Sequence, residues 1–165
     1  MPLDPKSGVF YEVHGPSTGH PLMVTLPLMA SFGAIFGSEL EHVFDGYLSR
    51  LTDRYRVLCV DYPSIGGSRD IAPAALTANR VCADLLDVAS AAGFDRFSYW
   101  GYSWSAAVGL QLVSRTQRIS ALVLGGWPPL GAPYEAILKA TRLKQSDPEP
   151  SSLKVLRSKE QYRQW

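Results

Sequence analysis

FSYWGYSWS, at residues 97–105, joins a short apolar segment to a sharp turn and then to a segment of small residues. Residues 97–100 predict a buried strand that ends at Gly101, and residues 105–115 predict a helix. The turn between them has the form Gly-x-Ser-x-Ser. Ser103 is therefore expected at the N-terminus of a helix, where the field of the helix favours a developing negative charge.

The rest of the chain alternates predicted strands with predicted helices. Short apolar runs predict strands at residues 8–14, 22–26, 56–61 and 120–124. Apolar residues spaced by three and four predict helices over 77–92 and from Ser38 onward, with Ser38 as the N-cap. The apolar stripe of the helix that begins at Ser38 consists of Leu40, Val43, Phe44, Tyr47, Leu48 and Leu51. This alternation predicts an α/β fold with a mostly parallel sheet flanked by helices, and such sheets form their sites at the carboxyl ends of the strands.

The composition is typical of a globular protein. Of 165 residues, 46% are apolar and 19% are charged, which is enough for one domain with a hydrophobic core. The net charge of +1 gives no electrostatic argument for binding nucleic acid or a membrane surface. No apolar run is long enough to cross a bilayer, and residues 1–6 do not form a signal peptide, so a soluble cytoplasmic protein is expected.

The two cysteines, Cys59 and Cys82, lie in apolar segments. We expect both to be buried and reduced, because their spacing fits neither a disulfide framework nor a metal site. No motif implies a metal ion or an organic cofactor. A dinucleotide-binding domain is disfavoured, because no Gly-x-Gly-x-x-Gly follows the first buried strand and Gly66-Gly67 alone is not that fingerprint.

The turn at residues 101–105 resembles the nucleophile elbow of the α/β-hydrolases, Gly-x-Ser-x-Gly, with Ser105 in the place of the second glycine. The serine of such an elbow sits on a strained turn, so the residues two positions to either side need small side chains. Gly101 and Ser105 meet that need.

A second segment, RVLCVDYPSIGGS at residues 56–68, looks like the strand and loop of the same family that end in Asp-x-x-Gly-x-Gly-x-Ser. Asp61 and Ser68 keep their places, whereas Ser64 replaces one glycine. Asp61 is expected to order this loop and has no catalytic role in this interpretation. The resemblance covers roughly residues 8–131.

The resemblance implies an α/β-hydrolase fold that is truncated after the sixth strand. Residues 1–130 would form the N-terminal part of the core, and residues 131–165 would begin the lid. Ser103 would be the nucleophile, and the backbone amide of Trp104 would be one donor to the oxyanion. The family's second donor follows a His-Gly pair, which this chain replaces with PL at 27–28, so this donor maps to the amide of Met29.

The activity implied is hydrolysis of an ester, thioester or amide through an acyl-serine intermediate. The substrate would be a small molecule, and Phe32 and Trp127 would line its pocket. Serine at position 103 argues against the dehalogenase and epoxide-hydrolase branches, which use a carboxylate nucleophile. No nucleic acid, membrane or cofactor is implied, and the oligomeric state is left open.

The base and the acid of the family follow the serine in the chain. The three histidines, His14, His20 and His42, all precede Ser103. His14 and His20 are expected to be exposed loop residues, and His42 lies off the apolar stripe of its helix. The base and the acid are therefore expected in later strands that this sequence lacks.

Two explanations of that gap stay open. The chain is either the front part of a longer hydrolase, which we favour because it ends within the lid without a closing strand, or a complete but degenerate protein. A competing function is small-molecule binding without turnover, in an apolar pocket lined by Trp104, Trp127, Phe32 and Met29.

Overall fold

The computed structural model describes residues 3–27, 32 and 41–126, and for 41–45 it describes the helical backbone alone. These residues belong to the compact unit Met1–Trp127. The prediction that 131–165 begin a lid lies outside the described residues. The strands are β1 (Tyr11–His14), β2 (His20–Thr25), β3 (Tyr55–Val60), β4 (Phe97–Tyr102) and β5 (Ile119–Gly125), and the helices are α1 (Glu41–Thr52), α2 (Ala78–Ala91) and α3 (Trp104–Val113).

The five strands form one sheet in the order β1-β3-β2-β4-β5. β1 pairs with β3 antiparallel, and the other neighbours pair parallel. At the centre, Val24 of β2 lies between Cys59 of β3 and Trp100 of β4. The predicted α/β fold with a mostly parallel sheet is confirmed.

Alternating residues of the strands enter two separate cores, because successive side chains point to opposite faces of a sheet. One core contains Met23 and Leu58 from the strands with Leu85 of α2 and Leu112 of α3. The other contains Val24, Val57 and Cys59 from the strands with Leu48 of α1. The sheet is thus packed between two helix layers, which explains why its strands are continuously apolar rather than alternating.

The second helix is bounded as its sequence predicts. The Oγ1 atom of Thr77 accepts a hydrogen bond from the amide of Arg80 and caps the N-terminus of α2. Gly93 has φ of 74° just after the helix, a conformation that glycine adopts without steric cost. Both cysteines are buried and unpaired, as expected.

Three local predictions were wrong. β4 continues through Gly101 to Tyr102, because the strand still has a partner there in β5. His14 and His20 are not loop residues: His14 ends β1, where it pairs with Val57 and is half-buried, and His20 begins β2. Tyr47 belongs to the predicted apolar stripe of α1, but its side chain lies outside the core: it is 56% exposed, and its ring stacks on Trp100 at 5.3 Å between centroids.

The described helices contain 12, 14 and 10 residues. None of them is both long enough and apolar enough to span a membrane.

The third helix approaches the sheet closely at Gly109. A Cβ atom at this position would lie 2.7 Å from Cε1 of Tyr99 and 2.9 Å from Cδ2 of Leu124. The ring of Tyr99 cannot retreat, because it is fully buried and its hydroxyl group is hydrogen-bonded at 2.8 Å to the carbonyl of Ser105. Glycine at position 109 therefore sets the distance between α3 and the sheet.

We expect Gly109→Ala to destabilise the fold by about 1–3 kcal/mol, since overpacking outweighs the roughly 1 kcal/mol that alanine gains over glycine in a helix. Gly46→Ala is the matched control, because a Cβ atom at this position of α1 would meet nothing within 4 Å. The control should gain up to about 1 kcal/mol. Urea unfolding of both variants measures this, and an equal effect of the two substitutions would refute the close approach.

Candidate active site

Ser103 occupies the single-residue turn between β4 and α3. Its φ and ψ are 58° and −122°, a region that non-glycine residues rarely adopt and that costs about 1–3 kcal/mol. Two hydrogen bonds hold this conformation: the amide of Ser103 donates to the carbonyl of Gly125 at 2.8 Å, and its carbonyl accepts from the amide of Ala106 at 2.9 Å. Strain of this kind, maintained by surrounding structure, is typical of functional sites.

The residues two positions before and after Ser103 touch each other. A Cβ atom at Gly101 would lie 2.5 Å from the carbonyl oxygen of Ser105 and 2.6 Å from its carbonyl carbon. Because both obstacles are backbone atoms, only glycine fits at position 101. Ser105 is fully buried, so a large side chain has no room there either. The predicted need for small residues on both sides of Ser103 is confirmed.

The amide of Trp104 is the first of α3. The first amides of a helix have no acceptor within the helix, and the helix dipole places partial positive charge there. An anion next to Ser103 would therefore be stabilised by the unpaired amides and by the partial positive charge of the helix dipole. Met29 and Trp127 lie outside the described residues, so their predicted roles stay predictions.

Phe32 is fully buried in the core that also holds Phe10 and Leu22. Its predicted place in a substrate pocket stays a prediction, although this packing favours a core role. The described part of the chain has a cavity of about 190 Å³ at the carboxyl ends of β2 and β4, the edge of the sheet where a site was expected. The cavity is lined by Val24, Thr25, Leu26, Pro27, Tyr47, Trp100 and Tyr102.

The Asp61 carboxylate joins two segments of backbone just beyond β3. Its Oδ2 atom accepts the amide of Gly67 at 3.0 Å, and its Oδ1 atom accepts the amide of Phe32 at 2.7 Å. The first bond confirms that Asp61 orders its own loop. The second bond, to the segment that follows β2, was not predicted.

A buried hydroxyl network joins β2, β4 and the first turn of α3, and sequence reasoning missed it. Thr25 Oγ1 is 2.6 Å from the Tyr99 hydroxyl group and 2.9 Å from that of Tyr62. The Tyr62 hydroxyl group is also 2.8 Å from Ser105 Oγ. Ser105 Oγ donates to the carbonyl of Leu26, and the Tyr99 hydroxyl group donates to the carbonyl of Ser105 at 2.8 Å. The one feature of the sequence that could have indicated this network is Ser105, which stands where the family has a glycine.

Carbonyl oxygens only accept, which fixes most protons of this network. Ser105 must donate to Leu26, and Tyr99 must donate to the carbonyl of Ser105. The Tyr99 oxygen then accepts the proton of Thr25. The Tyr62 hydroxyl group has one proton and two acceptors within reach, Thr25 Oγ1 and Ser105 Oγ, so it donates to only one of them at a time. The four hydroxyl groups of the network thus supply four protons to five contacts. Burial raises the pKa of Tyr62 and of Tyr99, which keeps both phenols neutral.

The histidines lie away from Ser103 where the structure describes them. His20 Nε2 is 2.9 Å from Ser98 Oγ at the start of β4, and five residues of extended chain separate Ser98 from Ser103, about 16 Å. His14 Nε2 is 3.2 Å from Glu12 Oε2 at the outer strand β1. Of His42 only the backbone is described, within α1.

The strained serine, the helix that begins beside it and the mostly parallel sheet define a hydrolase-type α/β fold. The alpha/beta hydrolase fold family model matches residues 33–149, and the chain belongs to this family. A search of curated protein sequences found no match.

Solved structures of hydrolases have the same fold. A hydrolase from Pseudomonas aeruginosa is 24% identical, with a TM-score of 0.64 over 88% of this chain and 51% of that chain. An enol-lactonase from Burkholderia xenovorans is 20% identical, with a TM-score of 0.56 over 69% and 41%. An epoxide hydrolase from hot-environment metagenomes is 18% identical, with a TM-score of 0.60 over 73% and 38%. The chain thus spans about half or less of the length of these structures.

The buried phenols predict a loss of stability in alkaline solution. Because the folded state raises the pKa of Tyr62 and Tyr99, it retains protons that the unfolded chain releases near pH 10. The contribution of these two phenols to the free energy of unfolding is complete below about pH 10 and is lost as the pH rises further. Tyrosinate absorbance of the wild type and of a Tyr62→Phe/Tyr99→Phe variant measures this. Tyr62 and Tyr99 should ionise only when the wild type unfolds, so the double variant should show a smaller rise in absorbance at the unfolding step. If both phenols ionise reversibly before the protein unfolds, their burial is contradicted.

Proposed function

We propose that this chain supplies the nucleophile and the oxyanion hole of a serine hydrolase that cleaves an ester, thioester or amide bond. The observation that carries the proposal is the strained conformation of Ser103 between β4 and α3. The backbone angles of Ser103 belong to neither the strand nor the helix, its side chain does not cap α3, and the first amide of α3 follows directly. The amides of Trp104 and Met29 would hold the oxyanion.

In the proposed reaction, Ser103 Oγ attacks the substrate carbonyl carbon while a base removes its proton. The carbonyl π electrons move to oxygen, where the amide of Trp104 and the field of α3 stabilise the negative charge. Collapse of the tetrahedral intermediate breaks the bond to the leaving group, which takes the proton from the base. Water then attacks the acyl-serine by the same steps and regenerates Ser103.

The base and the acid would come from sequence other than these 165 residues. His14 and His20 have partners remote from Ser103, and no histidine follows Ser103. The lengths of the similar solved structures agree with this proposal, since about half of the first one lies outside the matched part.

Acyl transfer is favoured over epoxide opening by the nucleophile itself. An epoxide hydrolase and a lactonase are similar to this chain in fold to about the same degree, so the fold does not choose between these reactions. A serine at the elbow, rather than a carboxylate, favours the ester-cleaving chemistry. The cavity that Tyr102 helps to line has mostly apolar walls, and Tyr102 directly precedes Ser103 in the chain, so the proposed substrate is an ester with a small apolar acyl group.

The second candidate function is binding of a small apolar molecule without turnover. It is favoured by the cavity of about 190 Å³ together with the distance between Ser103 and the described histidines. A protein of this kind would bind an activated ester and show no burst of released product.

The proposal predicts that a fluorophosphonate labels Ser103 once per chain in the protein expressed from its natural open reading frame. Ser103→Ala should abolish the label and the burst of p-nitrophenol from an activated ester, because the attacking oxygen is gone. Ser98→Ala is the matched control, since it removes the serine hydroxyl group within β4, five residues before Ser103 and bonded to His20. Intact mass spectrometry and peptide mapping measure both.

Labelling that survives Ser103→Ala, or a label on Ser98, would refute the assignment of the nucleophile. A protein with a mass of 18.1 kDa that binds the ester, shows no burst and takes no label would instead support the binding function.

A further inference from the structure

Tyr99 is a fully buried residue of β4 that meets α3 at two positions, one with its hydroxyl group and one with its ring. The hydroxyl group donates a hydrogen bond to the carbonyl of Ser105 at 2.8 Å. The edge of the ring faces Gly109, where an added Cβ atom would lie 2.7 Å from Cε1 and 3.0 Å from Cδ1. Residues 105 and 109 are four apart, so they lie on the same face of the helix.

These two contacts fix α3 in two directions. The ring sets the distance between the helix and the sheet, because a fully buried ring has no space into which it could withdraw. The hydroxyl group sets the position of the helix along its axis, because a hydrogen bond depends on direction as well as on distance. A phenylalanine at position 99 would keep the first contact and lose the second.

The Tyr99 bond goes beyond what the burial of a tyrosine requires. A hydroxyl group in an apolar core needs a partner, and a neighbouring side chain is enough. Thr25 Oγ1, 2.6 Å away, is such a partner. The proton of Tyr99 nevertheless goes to the backbone of α3, because the carbonyl of Ser105 can only accept.

Ser105 is held at a second atom. Its Oγ donates to the carbonyl of Leu26, the residue that follows β2. Ser105 is fully buried, and it follows Ser103 by two residues in the first turn of α3. The start of α3 is thus bonded through the carbonyl of Ser105 to β4 and through its hydroxyl group to the end of β2.

We propose that Tyr99 and Ser105 are positioning residues for the nucleophile. They hold the first turn of α3, and with it Ser103 and the amide of Trp104, in a fixed place relative to β2 and β4. The inference rests on the proposed function. It adds roles for two hydroxyl groups that the turn itself does not require, since phenylalanine at position 99 and glycine at position 105 would fit within the same space.

Three substitutions that each remove one buried hydroxyl group separate positioning from packing. Tyr99→Phe removes the bond to the carbonyl of Ser105 and keeps the ring. Ser105→Ala removes the bond to Leu26. Tyr62→Phe is the matched control, because Tyr62 is also buried but its hydrogen bonds go to side-chain hydroxyl groups. Both bonds to backbone carbonyls therefore stay in place in the control.

The first experiment is amide hydrogen exchange of the native protein, which needs no activity. In Tyr99→Phe and Ser105→Ala, a peptide covering residues 102–109 should exchange at least about tenfold faster, while α2 keeps its wild-type rate and shows that the fold is intact. Tyr62→Phe should change the rate of this peptide by less than about twofold. Where α2 also loses protection in one test variant, the other variant decides. Unchanged exchange in the test variants, or equal acceleration by Tyr62→Phe, would overturn the proposal.

The second experiment is steady-state hydrolysis of an activated ester by the protein from its natural open reading frame. Displacement of the nucleophile and of an oxyanion donor acts on the transition state, so Tyr99→Phe should lower kcat by about tenfold to a hundredfold with KM within about twofold. Tyr62→Phe should keep both constants within about twofold. A merely structural role of Tyr99 would leave kcat unchanged at temperatures well below unfolding, and this result overturns the positioning role. If Ser103→Ala leaves hydrolysis intact, the proposed function fails, and hydrogen exchange alone then decides whether the two residues fix the start of α3.

Discussion

The backbone contact between Gly101 and Ser105 is the constraint on which the rest of the site depends. The chain can reverse from β4 into α3 within one residue only because no Cβ atom stands at Gly101, 2.5 Å from the Ser105 carbonyl oxygen. That reversal forces Ser103 into its unusual conformation. It also brings α3 close to the sheet, where a Cβ atom at Gly109 would lie 2.7 Å from the ring of Tyr99. The conformation of Ser103 and the packing of α3 on the sheet thus share one geometric origin.

The strain at Ser103 is maintained by structure distant in sequence. A conformation of this kind costs about 1–3 kcal/mol, and one hydrogen bond contributes about 1 kcal/mol, so local bonds alone do not balance it. The amide of Ser103 reaches across to Gly125 at the end of β5, and the Ser105 hydroxyl group reaches Leu26 at the end of β2. The elbow is therefore a property of three neighbouring strands, and it depends on the sheet being complete on both sides of β4.

Hydrophobic patterns predicted the strands and helices because a strand buried between two helix layers is apolar along its whole length, as residues 57–60 are. They failed at Tyr47, whose ring packs on Trp100 outside the core, since periodicity records polarity and not the partner of a side chain. Ser103 was predictable because its strained turn demands small neighbours. The bond from Asp61 to Phe32 was not predictable, because it joins residues brought together only by the pairing of β2 with β3.

The hydroxyl network extends this argument from backbone to side chains. Five contacts share four protons, so Tyr62 cannot satisfy Thr25 and Ser105 at once, and an apolar core would avoid that conflict. Hydrogen bonds fix direction whereas apolar contacts tolerate sliding, so this network fixes the position of Ser105 relative to Leu26, Tyr62 and Tyr99. Thr25 ends β2, and Asp61 and Tyr62 lie just beyond β3. Their side chains bind Tyr99, Gly67 and Ser105 in turn. The carboxyl ends of the parallel strands thus supply polar side chains that join the sheet to the loops and the helix next to Ser103.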